Sequence, residues 1–90
     1  MTVVAVKIKI MPQSPDTDLG KIQEEVVSLL RKKDVQNPKF EIQPIAFGLK
    51  ALIVMFGWLE DKELEKLEDE FGKIKNTNSI EVVDIRRAIG

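Results

Sequence analysis

The spacing of apolar residues changes period several times along this chain, and that succession constrains the fold more than any other feature. From Val4 to Ile10 the period is two: Val4, Val6, Ile8 and Ile10 alternate with Ala5, Lys7 and Lys9. Branched apolar residues on one side and small or charged ones on the other define a half-buried strand. Met11-Pro12-Gln13-Ser14-Pro15-Asp16 then reads as a turn in which two prolines end the strand, with Asp16 or Asp18 placed to cap a helix. From Leu19 the period becomes helical. Leu19, Ile22, Val26, Leu29 and Leu30 share a face, while Lys21, Gln23, Glu24, Glu25 and Ser28 lie off it. Arg31, Lys32 and Lys33 put positive charge at the negative end of the helix dipole, so the helix is expected to end near Lys33 or Asp34.

Period two returns over Lys39 to Gln43, with Phe40 and Ile42 on one side and Pro44 interrupting, which suits an edge strand. The run from Leu49 to Phe56 is apolar except for Lys50, and it is apolar on both faces. Leu49, Ala51, Ile53 and Met55 form one face; Leu52, Val54, Phe56 and, past Gly57, Trp58 form the other. Such a strand belongs in the middle of a sheet. Alternation does not say which face is the core, and either choice leaves one apolar face to be covered by self-association or by a partner. A second helix is expected from Asp61, with Leu64, Leu67, Phe71 and Ile74 spaced three-four-three and Gly72 weakening its end. Asn76-Thr77-Asn78-Ser79 reads as a turn, and Ile80 to Arg87 as the last strand. Its apolar residues Ile80, Val82, Val83 and Ile85 change phase midway, as a β-bulge requires. The order is β-α-β-β-α-β. Right-handed crossovers bring both helices to one face of a four-stranded antiparallel sheet, a ferredoxin-like α+β sandwich. Ninety residues hold one core, so residues 1–90 are expected to form a single domain.

Composition narrows the chemistry. Lys and Arg number 14 against 15 Asp and Glu, a net charge of −1. The chain therefore lacks the basic excess of a general nucleic-acid binder and the polybasic cluster of a membrane anchor. Neither cysteine nor histidine is present, which removes disulfides, thiolate and imidazole catalysis and the usual zinc sites. Glu60, Asp61, Glu63, Glu65, Glu68, Asp69 and Glu70 alternate with Lys62 and Lys66 and read as a solvated face with local ion pairs. They lack calcium-loop spacing, and the glycines form neither a phosphate loop nor a dinucleotide fingerprint. The N-terminus starts directly on a strand pattern in place of a signal-peptide core, and no apolar run is long enough to span a bilayer. The expectation is a cytoplasmic binding protein, not an enzyme, with no metal or cofactor of its own. Ala46-Phe47-Gly48-Leu49-Lys50-Ala51-Leu52 resembles the glycine-aromatic motif of RNA-binding domains of this topology. Ile53, Met55 and the first strand, however, supply no stacking aromatics. Acylphosphatase shares the topology but holds phosphate with an arginine in the first strand-helix loop, and residues 11–18 contain none.

What remains is Pro44-Ile45-Ala46-Phe47-Gly48-Leu49-Lys50, a connection bounded by Pro and Gly that carries a large aromatic. Phe47 either plugs the end of the core or stands exposed as an interface anchor. Extended to Ala51-Leu52, the segment resembles the Pro-Ile-(Gly/Ala)-(Phe/Tyr)-Gly-(Ile/Leu)-Lys-x-Leu signature of the translation elongation factor one-beta family. The Pro-rich acidic loop within Val6 to Leu19 resembles that family's opening, and Ile80-Glu81-Val82-Val83-Asp84-Ile85-Arg86-Arg87 its archaeal ending. The length matches the short archaeal form, and the similarity covers essentially the whole chain.

The resemblance implies a guanine nucleotide exchange factor for elongation factor one-alpha, the GTPase that delivers aminoacyl-tRNA to the ribosome. It implies that GDP, GTP and Mg²⁺ belong to the partner's site. It makes Phe47 the aromatic that packs against the GTPase, Gly48 the residue that allows a close turn and Lys50 the motif lysine; Pro44 and Ile45 complete the segment. Eukaryotic members carry a lysine near the last residue that reaches toward the partner's Mg²⁺ site. This chain ends Arg86-Arg87-Ala88-Ile89-Gly90. Arg86 or Arg87 is a candidate for that charge or else a solvated strand end, and a planar guanidinium does not replace a compact ammonium like for like. The competing reading is a small-ligand regulatory domain that dimerises through its open sheet face.

Overall fold

In a computed structural model, which describes residues 2–87, β1 (Val3–Pro12) and β3 (Lys50–Leu59) pair antiparallel at the centre of one sheet. The edge strands are β2 (Lys39–Pro44) beside β3 and β4 (Thr77–Arg87) beside β1, giving the order β2-β3-β1-β4. Helices α1 (Leu19–Lys32) and α2 (Leu64–Gly72) form the two crossovers and pack on the same sheet face. This is the ferredoxin-like α+β arrangement expected from the periods.

The face that alternation left open is settled by β3. Leu52, Val54, Phe56 and Trp58 point to the helices and join Val4, Val6, Ile8 and Ile10 of β1 in the core. Ile22, Val26 and Leu30 of α1 and Leu67 and Phe71 of α2 close it from above. Each fully buried side chain of this kind contributes about 1.5–3 kcal/mol relative to exposure. On the other face Ala51 and Ile53 are buried although no helix lies over them. Ile53 sits in register between Lys9 and Glu41, long side chains of the kind that lay their stems on apolar neighbours and keep their charges in water. Ala51 and Ile53 are thus shielded within this chain.

Both ends of α1 follow local chemistry. Asp18 is the N-cap, its Oδ1 accepting from the Gly20 N–H at 3.0 Å. At the other end Val35 N–H donates to the Leu30 carbonyl and Asp34 N–H to that of Arg31, at 3.0 and 3.1 Å. With Asp34 at φ 61 and Val35 buried, this is a Schellman closure with aspartate in the position glycine usually takes.

Four boundaries differ from the sequence expectation. Strand β1 continues through Pro12, which pairs with Thr77, so the first proline does not end it. Helix α2 begins at Leu64, not Asp61, because residues 59–62 form a turn: Lys62 N–H donates to the Leu59 carbonyl, and the Trp58 indole donates to the Lys62 carbonyl. Ile74 lies past the end of α2 yet is buried, carried inward by a turn in which its N–H donates to the Phe71 carbonyl. Thr77, Asn78 and Ser79, read as a turn, belong to β4 because the extended end of β1 offers partners for Thr77 and Ser79. The expected phase change in β4 is a register shift between Lys7 and Ile8 that leaves Val83 unpaired.

Candidate functional site

The connection between β2 and β3 is a short, hydrogen-bonded turn. Leu49 N–H donates to the Ala46 carbonyl at 2.9 Å, and Ile45 N–H donates to the Leu49 carbonyl at 2.9 Å. Its two central residues, Phe47 and Gly48, have φ of +54° and +79°, the signature of the type I′ turn whose twist suits a hairpin. Glycine accepts that region freely. A Cβ at Gly48 would meet only Pro15 Cβ, at 3.7 Å, so the dihedral rather than lack of space calls for glycine here.

Phenylalanine does not accept it freely: a bulky side chain in the left-handed region costs about 1–2 kcal/mol. Nothing in the fold compensates, because Phe47 is 97% exposed. The core-plug reading of Phe47 is thereby overturned, and the exposed-anchor geometry is what the chain adopts. Ile42 and Ile45, 49% and 40% exposed, carry the apolar surface from the tip onto β2. Pro44 ends that strand opposite Lys50, which is itself exposed. Pro44, Ile45, Phe47, Gly48 and Lys50 thus form one local surface, beside a groove shared with Pro15 of the β1–α1 connection and Leu19 at the start of α1.

Arg86 and Arg87 do not join it. They pair with Ala5 and Val4, at the opposite end of β1 from Pro12. Seven residues of strand separate the two groups, about 23 Å. Each arginine is tied in a surface ion pair: Arg86 Nε to Asp84 Oδ2 at 2.8 Å, and an Arg87 guanidinium nitrogen to Glu60 Oε1 at 3.4 Å. Both side chains are largely exposed, so these pairs contribute little to stability. Ala88, Ile89 and Gly90, where the expected terminal charge would be compared, lie outside the described residues.

The acidic stretch around α2 behaves as a charged surface. Glu63 pairs with Lys66 at 3.3 Å and Glu70 with Lys33 at 3.2 Å. Among the described residues no group of three carboxylates converges to hold a metal ion, and no helix is long and apolar enough to cross a membrane.

Ile42 is an exposed apolar residue whose direction the sequence left open. Its partner Leu52 is buried, and alternation puts both on the helix side, yet the helices do not cover the edge strand there. The edge position that Pro44 pointed to is the one the strand takes.

Fold and surface together define a class: a small ferredoxin-like domain that offers an aromatic on a rigid hairpin tip. Residues 5–88 match the EF-1 guanine nucleotide exchange domain. Elongation factor 1-beta of Methanosarcina barkeri is 42% identical over 86 residues, covering 93% of this chain and 96% of that protein. The Metallosphaera sedula protein of the same name is 39% identical, covering 97% of both, and that of Methanocaldococcus jannaschii is 34% identical, covering 98% and 100%. The chain belongs to the elongation factor 1-beta family, and its guanine nucleotide exchange domain supports a role as an exchange factor in translation elongation. Among solved structures, BlrP1 BLUF superposes with a TM-score of 0.58 at 13% identity, covering all of this chain and 57% of that one, a likeness of fold alone.

Proposed function

We propose that this protein binds elongation factor 1-alpha through the Phe47 hairpin and accelerates release of its GDP, so that GTP can replace it. The observation that carries the reading is Phe47 itself: a large aromatic, 97% exposed, held at positive φ on a hydrogen-bonded turn. Exposing a ring and straining its backbone both oppose folding, so the feature is best accounted for by a contact outside the chain. Burying an aromatic anchor of this kind dominates the energy of many protein interfaces. A turn already fixed by two backbone hydrogen bonds loses little freedom on binding.

Exchange by this route needs no acid, base or nucleophile here. If the factor binds the GTPase more tightly when its nucleotide pocket is distorted, then GDP must bind more weakly in the complex by the same factor. The guanine nucleotide and Mg²⁺ are held by the GTPase, and the work would take place in the cytoplasm with the rest of translation. Pro44, Ile45, Gly48 and Lys50 shape and flank the anchor. Arg86 or Arg87 would touch the GTPase at a second patch, because about 23 Å of sheet separates them from the tip.

The test is release of fluorescent GDP from elongation factor 1-alpha, chased with excess unlabelled nucleotide. Release that quickens in proportion to added protein supports the reading. Unchanged release from a GTPase shown to be competent contradicts it.

A further inference from the structure

The open sheet face is not evenly charged. Strand register sorts its side chains into rows that run across the sheet. The row through Ile53 carries Glu41, Lys9 and Glu81, two acids against one base. The next row, through Met55, carries Lys39, Lys7 and Asp84, two bases against one acid. The row after that is Gly57, Ala5 and Arg86, with one base and no acid. The face therefore runs from acidic on the hairpin side to basic at the other end.

The basic end is also concave. Ala5 and Gly57 face each other across β1 and β3 with almost no side chain between them. They floor an open dent of about 470 Å³, walled by Met55 and rimmed by Lys7, Lys39 and Arg86 from three different strands. Its one acid, Asp84, is already paired with Arg86 at 2.8 Å. Among the described residues Lys7 and Lys39 make no ion pair.

We infer that this dent is a docking surface for a carboxylate-rich patch of the GTPase, an inference that rests on the exchange reading. Two features separate this from other anionic ligands. A small phosphate is held by converging backbone N–H groups or a free guanidinium fork, whereas a sheet face aims no backbone donor outward, Lys7 and Lys39 sit on flexible stems, and the Arg86 guanidinium is already engaged by Asp84. A nucleic-acid strand on a sheet of this topology is held by stacked aromatics, and the floor here is alanine and glycine. An acidic protein surface needs neither, only opposite charge and a dent to receive a small apolar projection. Rim charges of this kind act mainly on the rate of encounter and are screened by salt.

The experiment compares the second-order rate of GDP release for the wild type, the double variant Lys7→Glu with Lys39→Glu, and Ala5→Leu, which fills the dent with all charges kept. Circular dichroism and thermal melts establish that each is folded, with Lys39→Ala as a milder variant on the exposed edge strand. At about 0.05 M salt the double variant is expected to lose about tenfold in rate, with most of the loss disappearing at about 0.5 M. Ala5→Leu is expected to lose a few-fold at both salts. If the wild type itself releases no GDP, the exchange reading fails and this inference falls with it. If the wild type is active and both folded variants match it at low salt, the inference alone is overturned. It is overturned equally if the wild type sediments as a dimer that the double variant abolishes. Low-salt binding of single-stranded RNA that disappears in the variants while exchange does not would also overturn it.

Discussion

Two aromatics bracket the central strand β3 and meet opposite fates. Phe47, just before it, stands almost wholly in solvent at a positive φ, with the turn's hydrogen bonds made by its backbone neighbours. Trp58, near the other end, is 3% exposed and held on every side. Its ring meets Phe56 edge-on at 5.9 Å, its indole N–H donates to the Lys62 carbonyl at 3.3 Å, and the Lys62 ammonium lies 5.6 Å above it. That ammonium also donates to the Lys33 carbonyl at 2.8 Å, fastening the β3–α2 turn to the end of α1. Two large rings, one in the turn before β3 and one near its far end, thus divide the labour. One holds the fold together, and the other is available to something outside it.

The contrast can be broken most forcefully at Trp58. Trp58→Ala should lower stability by about 3–5 kcal/mol in urea unfolding, a large share of the roughly 5–15 kcal/mol that holds a small domain folded. A loss below about 1 kcal/mol would mean that this end is not the structural one. Gly48→Val probes the turn. It forces a branched residue to φ +79° and should cost about 1–2 kcal/mol while also weakening exchange, because the tip changes shape. A stable variant with unaltered exchange would show that the turn geometry is not needed. Lys62→Met keeps the stem over Trp58 but removes the hydrogen bond to Lys33, and should cost about 1 kcal/mol without altering exchange. The smallest expected effect is that of Phe47→Ala on stability, within about 0.5 kcal/mol, since no packing is lost. A melting temperature lowered by many degrees would place Phe47 among the structural residues after all.

The same contrast explains what could be read without coordinates. The β-α-β-β-α-β order, an α1 cap narrowed to Asp16 or Asp18 and the bulge in β4 were legible because each leaves a periodic or chemical mark in a few adjacent residues. The start of β4 was not. Thr77, Asn78 and Ser79 look like a turn in isolation and become strand because β1 extends far enough to pair with them. The start of α2 was hidden for a similar reason. Asp61 looks like a cap, but the turn that Trp58 and Lys62 stabilise delays the helix to Leu64. A strand apolar on both sides cannot show its core face by alternation, so the assignment of Leu52 to the inside and Ile53 to the outside needed the helices. For the site, residues 44–50 were legible as a unit from their motif. Whether Phe47 pointed in or out was not, because a turn residue has no periodic partner to fix its direction. The separation of Arg86 and Arg87 from that loop follows only from register.

The central claim is that Phe47 serves binding and not folding. It is tested most directly by preparing Phe47→Ala and measuring two quantities on the same sample: its melting temperature, and its acceleration of GDP release from elongation factor 1-alpha. The account predicts a melting temperature close to that of the parent protein and an exchange rate reduced at least tenfold. A folded variant that exchanges nucleotide as fast as the parent would contradict it.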